Sequence, residues 1–197
     1  MVALLDVNVL VALLDAGHMH HASAMQWLGE HLDNGWASCP LTQNGCIRIL
    51  SQSAYPNRAP AAEVATRLAE ATAHPAHQFW PDAVSLLAPD LIQWNNLLSG
   101  RHITDAYLLA LAVKNNGVFV TLDKGVPLAA VQGAQAGHLV VLGSAMEKAR
   151  QVVAEHALIS LTKAGQTALA QLLTNPPLPK PAMSELMSLA DFPARKA

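Results

Sequence analysis

The sequence has little of what marks several common protein classes. Only two cysteines, Cys39 and Cys46, occur in 197 residues. That is too few for a disulfide scaffold, and they lack the paired spacing of a zinc site, so both read as small, partly buried thiols. No apolar run is long enough to span a bilayer. The first is interrupted by Asp6 and Asn8 and has no basic region before it, so neither a signal peptide nor a membrane segment is expected and the chain reads as cytoplasmic. Basic residues are not in excess either. With a net charge of −2, the chain lacks the whole-surface signature of a nucleic-acid binder, and any nucleic acid must be held by a local patch. Arg48, Arg58, Arg101, Lys114 and Lys124 are candidates for such a patch, or scattered surface bases. Aromatics make up 5% of the chain, which leaves the core to Ala, Leu and Val. Mean hydropathy is positive, so one good domain with an extension is expected rather than a disordered chain.

What is present is an alternation of short strands and helices. Leu4 and Leu5 read as the end of a strand buried on both faces, and Val9, Leu10, Leu13 and Leu14 then recur at helical spacing. Asp6, at that junction, either caps the helix or lies at the carboxyl edge of a parallel sheet, where open α/β folds place their ligands. A helix is expected from about His20 to Asp33, with Met25, Leu28 and Leu32 facing the core. The crowded His18, His20 and His21 lack a completing ligand set and read as a solvated helix start. Trp36–Cys39 reads as a strand, and Pro40 opens a helix to about Ser51 that carries Gln43 and Arg48. A proline-marked loop over Tyr55–Pro60 leads to a helix over Ala61–Ala73 with Val64 and Leu68 inward. Phe79–Leu87 gives a short apolar element with Asp82 as a capping or turn residue, and Leu91–Leu98 reads as a helix. Thr104 and Asp105 begin an apolar helix running to about Asn115, with Gly117 as its stop. Val118–Leu122 is a strand ending on Asp123, and His138–Leu142 looks like the closing strand.

Two strand-terminal acids and one helix-terminal acid can therefore converge at one edge of a parallel sheet. Three carboxylates brought together raise one another's pKa unless a cation lies between them. Oxygen ligands without sulfur or imidazole suit Mg²⁺ or Mn²⁺, which can activate water and neutralise charge on a phosphodiester. A second enzymatic reading is a haloacid-dehalogenase-type phosphatase with Asp6 as nucleophile. It ranks lower because the acid required two residues later is Asn8, which cannot donate a proton in that role.

The ordered set Leu4–Leu10, Cys39–Leu50, Phe79–Asp82, Ile103–Leu108 and Val120–Asp123 resembles the PIN domain, and more closely the VapC-type toxins of toxin–antitoxin pairs. The resemblance covers roughly residues 1 to 145. It implies a three-layer α/β/α domain with a short, mainly parallel sheet, and a metal-dependent endoribonuclease cleaving RNA by water attack to leave a 5′-phosphate and a 3′-hydroxyl. It also implies that Asp6, Asp105 and Asp123 hold Mg²⁺ or Mn²⁺ and that Asn8 and Thr104 support them by hydrogen bonding; of the candidate patch bases, Arg48 and Lys124 are expected to contact the RNA. A homodimer, a small VapB-like antitoxin and a structured RNA target such as transfer RNA belong to the same expectation. The chain departs from the family at Gln43, where a glutamate is common. A neutral amide can ligate through its carbonyl or orient water, but it removes a charge, so weaker metal binding is expected. Glu30 and Glu63 are nearby acids that read as solvated. The competing non-enzymatic reading is a PIN-like module that binds RNA or a partner through a weakened site.

More than fifty residues follow the closing strand. They divide into a helical extension over 146–174 and, over 175–197, a proline-rich linker and a tail. The tail pairs Leu186, Met187, Leu189 and Phe192 with Arg195 and Lys196, a pattern that resembles the recognition end of an antitoxin and suggests action in cis or between dimer mates. A frayed terminus is the alternative.

Overall fold

Five strands form one sheet, and every pairing in it is parallel. The computed structural model describes residues 1–143; the extension and tail expected over 146–197 lie outside the described residues. Along the chain the elements run β1 (Ala3–Leu5), α1 (Val7–Leu14), α2 (His21–His31), β2 (Trp36–Ser38), α3 (Pro40–Ser51), α4 (Ala61–Thr72), β3 (His77–Phe79), α5 (Ile103–Lys114), β4 (Val118–Thr121) and β5 (Leu139–Val141). Their order across the sheet is β3-β2-β1-β4-β5. The order reverses between β1 and β4, and the crevice outside the carboxyl ends of two such strands is where a doubly wound sheet receives ligands.

The two faces of the sheet follow from strand periodicity. Ala3, Leu5, Trp36, Val118 and Val120 point to one side, where α1 to α4 pack with Val9, Leu10, Cys46, Val64 and Leu68. Leu4, Ala37 and Phe119 point to the other, beneath α5 with Leu108, Leu109 and Leu111. Register keeps the two sets apart: Leu4 lies opposite Ala37 on β2 and Phe119 on β4. β1, β2 and β4 are buried on both faces, which is why they read as unbroken apolar runs, whereas the edge strands β3 and β5 are partly exposed.

Several local expectations are corrected. Met25 is 49% exposed; the inward face of α2 is Ala24, Trp27 and Leu28, so the apolar stripe is offset from the one set by Met25. Leu91–Leu98 does not form a helix beyond one 3₁₀ turn over Trp94–Asn96. Its backbone instead pairs with the segment after β4, Gln93 N–H donating to Ala130 O and Gln132 N–H to Leu91 O, and tertiary pairing overrides the local pattern. The left-handed residue that ends α5 is Asn116, at φ 50°, rather than Gly117. Gly117 is needed for close approach: a Cβ there would stand 2.5 Å from the Trp80 ring and 2.7 Å from Val2 O. Asp82 accepts a hydrogen bond from the Tyr107 hydroxyl at 2.9 Å, which ties the segment after β3 to α5.

Candidate active site

Asp6 leaves β1 and caps α1, so the two readings of it are compatible. Its Oδ1 accepts from Val7 N–H at 2.6 Å and its Oδ2 accepts from the Thr121 hydroxyl at 2.5 Å. Thr121, the last residue of β4, is fully buried, and its hydroxyl uses every site it has. It donates to Asp6 and accepts from Asn8 Nδ2 at 3.0 Å and from Asp123 N–H at 3.0 Å. Asn8 closes the ring from the other side, its Oδ1 accepting from Leu122 N–H at 3.1 Å. One side chain thus fixes the exits of β1 and β4 relative to each other and turns the chain at Asp123. Asn8, committed to Thr121 and Leu122 and unable to act as an acid, removes the general acid the phosphatase reading requires.

Asp105 reaches the same edge from the first turn of α5. Burial pushes the Asp6 carboxyl up to about 6 against hydrogen bonds from Thr121 and Val7 that lower it, and the charges of Asp105 and Asp123 raise it further. Asp105 is also raised, by burial and then by Asp123, while the neighbouring His102 pulls it back. The charges of Asp105 and Asp123 thus reach Asp6, and that of Asp123 reaches Asp105. Among the described residues no group of three or more His, Cys, Asp or Glu side chains is arranged to hold a metal ion. The donor chemistry of Asp6, Asp105 and Asp123, oxygen without sulfur or imidazole, is the kind that suits a hard cation keeping several waters.

Gln43 lies on the first turns of α3, half-buried, and its amide nitrogen donates to Ser38 Oγ at 3.0 Å. Ser38 in turn contacts His77 Nε2 at 2.9 Å, so β2 and β3 together orient the amide. The start of α3 is secured by Cys39 N–H donating to Thr42 Oγ1 at 3.0 Å and the Thr42 hydroxyl donating back to Cys39 O at 3.1 Å. Gly45 lets α3 press against α1: a Cβ there would come within 2.6 Å of Val7 Cγ2. Glu30 and Glu63 bond Gln26 and Arg67 on their own exposed helix faces.

Thr104 is exposed, makes no side-chain hydrogen bond among the described residues, and lines a shallow depression with Leu41, Leu86, Ile103 and Tyr107. Arg48 is exposed more than one turn beyond Gln43, and Lys124 is exposed immediately after Asp123. Sequence reasoning passed over Thr121, Ser38 and His77. The available signal for Thr121 was a hydroxyl closing the apolar run Val118–Val120 immediately before the Leu122–Asp123 turn, a faint one because Thr is itself a favoured strand residue.

The model of the PIN domain family matches residues 3–132, and one described as antitoxin TacA 1-like matches residues 129–191. Ribonuclease VapC44 of Mycobacterium tuberculosis is 48% identical over 140 residues, spanning 71% of this chain and 99% of that protein. Ribonuclease VapC39 of the same organism is 40% identical over 144 residues, 72% of this chain and 100% of that one. Among solved structures, VapBC2 from Rickettsia felis bound to a DNA fragment from its promoter aligns over 73% of this chain and 100% of that chain, at 15% identity and TM-score 0.48. Its PIN-model match and its identity with full-length relatives place this chain in the PIN-domain family, in the VapC group of ribonucleases.

Proposed function

We propose that this chain is the toxin of a toxin–antitoxin pair and acts as a divalent-metal-dependent endoribonuclease. The observation that carries the reading is the carboxyl edge of β1 and β4, where Thr121 fixes both Asp6 and the Asp123 turn and the charges of Asp105 and Asp123 act on Asp6, in a chain that matches VapC ribonucleases over nearly their whole length. Asp6, Asp105 and Asp123 are the residues that would hold Mg²⁺ or Mn²⁺, with the Gln43 carbonyl as a neutral fourth oxygen. Bound there, the metal would lower the pKa of a water and neutralise charge on the phosphodiester. The protein's own part is orientation. Thr121 and Asn8 lock Asp6, α5 delivers Asp105, and Ser38 holds the Gln43 amide through its nitrogen, which leaves the carbonyl as the end that would ligate.

An antitoxin partner is supported by the VapC relatives and by the antitoxin-like match over residues 129–191, which takes in the proline-rich linker and part of the tail. A homodimer and a structured RNA substrate, transfer RNA first among candidates, follow from the family resemblance, with Arg48 and Lys124 as exposed bases assigned to the RNA. No helix of the described residues is long and apolar enough to cross a membrane.

The test is cleavage of total cellular RNA by the purified chain with Mn²⁺ or Mg²⁺, beside an EDTA control. Discrete fragments that vanish with EDTA are the expected result. A folded chain that binds RNA but never cuts it, with either metal, would instead establish the binding module.

A further inference from the structure

Arg101 sits on the single 3₁₀ turn over Gly100–His102 that leads into α5, four residues before Asp105. Three acids in reach of one edge offer an obvious partner for a cation, yet the guanidinium does not take one. Its Nε donates to His102 Nε2 at 3.0 Å, and among the described residues the ion pair is elsewhere, between Arg67 and Glu63. His102, the next residue in the chain, thus braces the guanidinium from one side through its Nε2. His102 is itself set against the acidic turn. Its Nε2 and Asp123 Oδ1 lie 3.3 and 3.1 Å from the point where a Gly125 Cβ would stand, and Gly125 N–H donates to that same Oδ1 at 2.7 Å. The sequence Asp123–Gly125–His102–Arg101 therefore holds an exposed guanidinium at the rim of the site, and among the described residues its side chain bonds to His102 through Nε and pairs with no carboxylate. A planar fork presented in this way matches the non-bridging oxygens of a phosphate, which it can bind bidentately.

We propose that Arg101, braced by His102, is a phosphate-binding residue that seats the RNA backbone beside Asp105 and Asp123. The inference rests on the ribonuclease reading and adds to it a substrate contact on the α5 side of the site. It also gives the −2 chain a local basic foothold at the place where its acids would otherwise repel the backbone. His102 acts through Arg101 as a positioning residue.

The experiment measures binding of fluorescently labelled bulk transfer RNA to the Asp6→Asn chain over a series of salt concentrations. The same measurement is made with Arg101→Gln or Arg67→Gln added. Loss of one single-strand phosphate contact lowers the slope of log K against log salt by about 0.7. Arg101→Gln is expected to show that drop with Kd raised about fivefold, and Arg67→Gln, on α4 where the guanidinium pairs with Glu63, to change neither. His102→Ala should weaken binding in the same direction, and His102→Gln, whose Oε1 can still accept from Arg101, should restore it. With Asp6 intact, Arg101→Gln should raise KM about fivefold and leave kcat within about twofold. An unchanged salt slope in Arg101→Gln overturns the proposal while leaving the ribonuclease reading standing; failure of the parent chain to bind RNA at low salt overturns both.

Discussion

At the scale of single residues, Thr121 and Asp6 are the pair that links fold to chemistry. The Thr121 hydroxyl is the shared partner of Asp6, Asn8 and the Asp123 amide. Thr121→Val keeps the shape of the strand residue and removes that partner. It leaves a buried carboxylate oxygen of Asp6 and two donors, Asn8 Nδ2 and Asp123 N–H, unmatched, at a cost of about 2–3 kcal/mol. Urea denaturation should register that loss, and RNA cleavage should fall more than about tenfold because Asp6 and the Asp123 turn are no longer fixed together.

Asp6 makes the opposite statement about stability. Burial raises its folded pKa to about 6 from 3.8, so the fold favours the protonated form. That contribution is complete below about pH 3.8 and is lost as the pH rises through 6, which makes the ionised group a cost to the metal-free fold at neutral pH. A rise of this size corresponds to about 3 kcal/mol. In EDTA, Asp6→Asn should therefore gain on the parent chain as pH goes from 4 to 7.5, by about 2–3 kcal/mol in denaturant titrations. A difference that stays flat across that interval would show that Asp6 is not desolvated as described.

At the scale of elements, the site depends on how closely α1 and α3 approach. Val7 follows Asp6 directly and Gly45 follows Gln43 by two residues, so their contact sets the spacing of the two functional side chains. Gly45→Ala would gain about 1 kcal/mol in helix propensity, but its Cβ meets the stiff, β-branched Val7 at 2.6 Å. A net destabilisation of about 1–2 kcal/mol is expected, and adding Val7→Ala should relieve the clash. A double-mutant cycle measures that coupling, and additive effects would contradict the close contact.

Element identity was legible where the sequence carried local punctuation. Pro40 opened α3, Asp6 capped α1, and the apolar run before Asp123 was β4, all as read from the residues. Where tertiary contacts decided, the sequence was silent. Leu91–Leu98 has helical residues, but its backbone is claimed by Ala130 and by Gln132, which no local pattern reveals. Met25 was placed inward on spacing alone, although Ala24 and Trp27 on the same helix form an equally regular stripe and are the ones that pack.

At the scale of the whole molecule, the strand order brings together acids separated by about a hundred positions. Parallel strands force their carboxyl ends to one edge, and the reversal between β1 and β4 opens that edge beside Asp6 and Asp123. Alternation of strands and helices made the edge foreseeable. The hydrogen-bond hub was not, because the Thr121 partners Asp6 and Asn8 lie 115 and 113 residues away. Gln43 was visible as a departure from the family, while its orientation by Ser38 and His77 required the pairing of β2 with β3. A site with one acid fewer should need more metal. Activity is therefore expected to need the three carboxylates together rather than any one of them.

The most direct test compares Asp6→Asn, Asp105→Asn and Asp123→Asn with the parent chain in single-turnover cleavage of total cellular RNA with Mn²⁺, with folding checked by thermal denaturation. The account predicts that each variant stays folded and loses at least about a hundredfold in rate, because each removes charge from one shared site. Undiminished cleavage by any of the three would contradict the assignment of that carboxylate. Undiminished cleavage by all three would contradict the site itself.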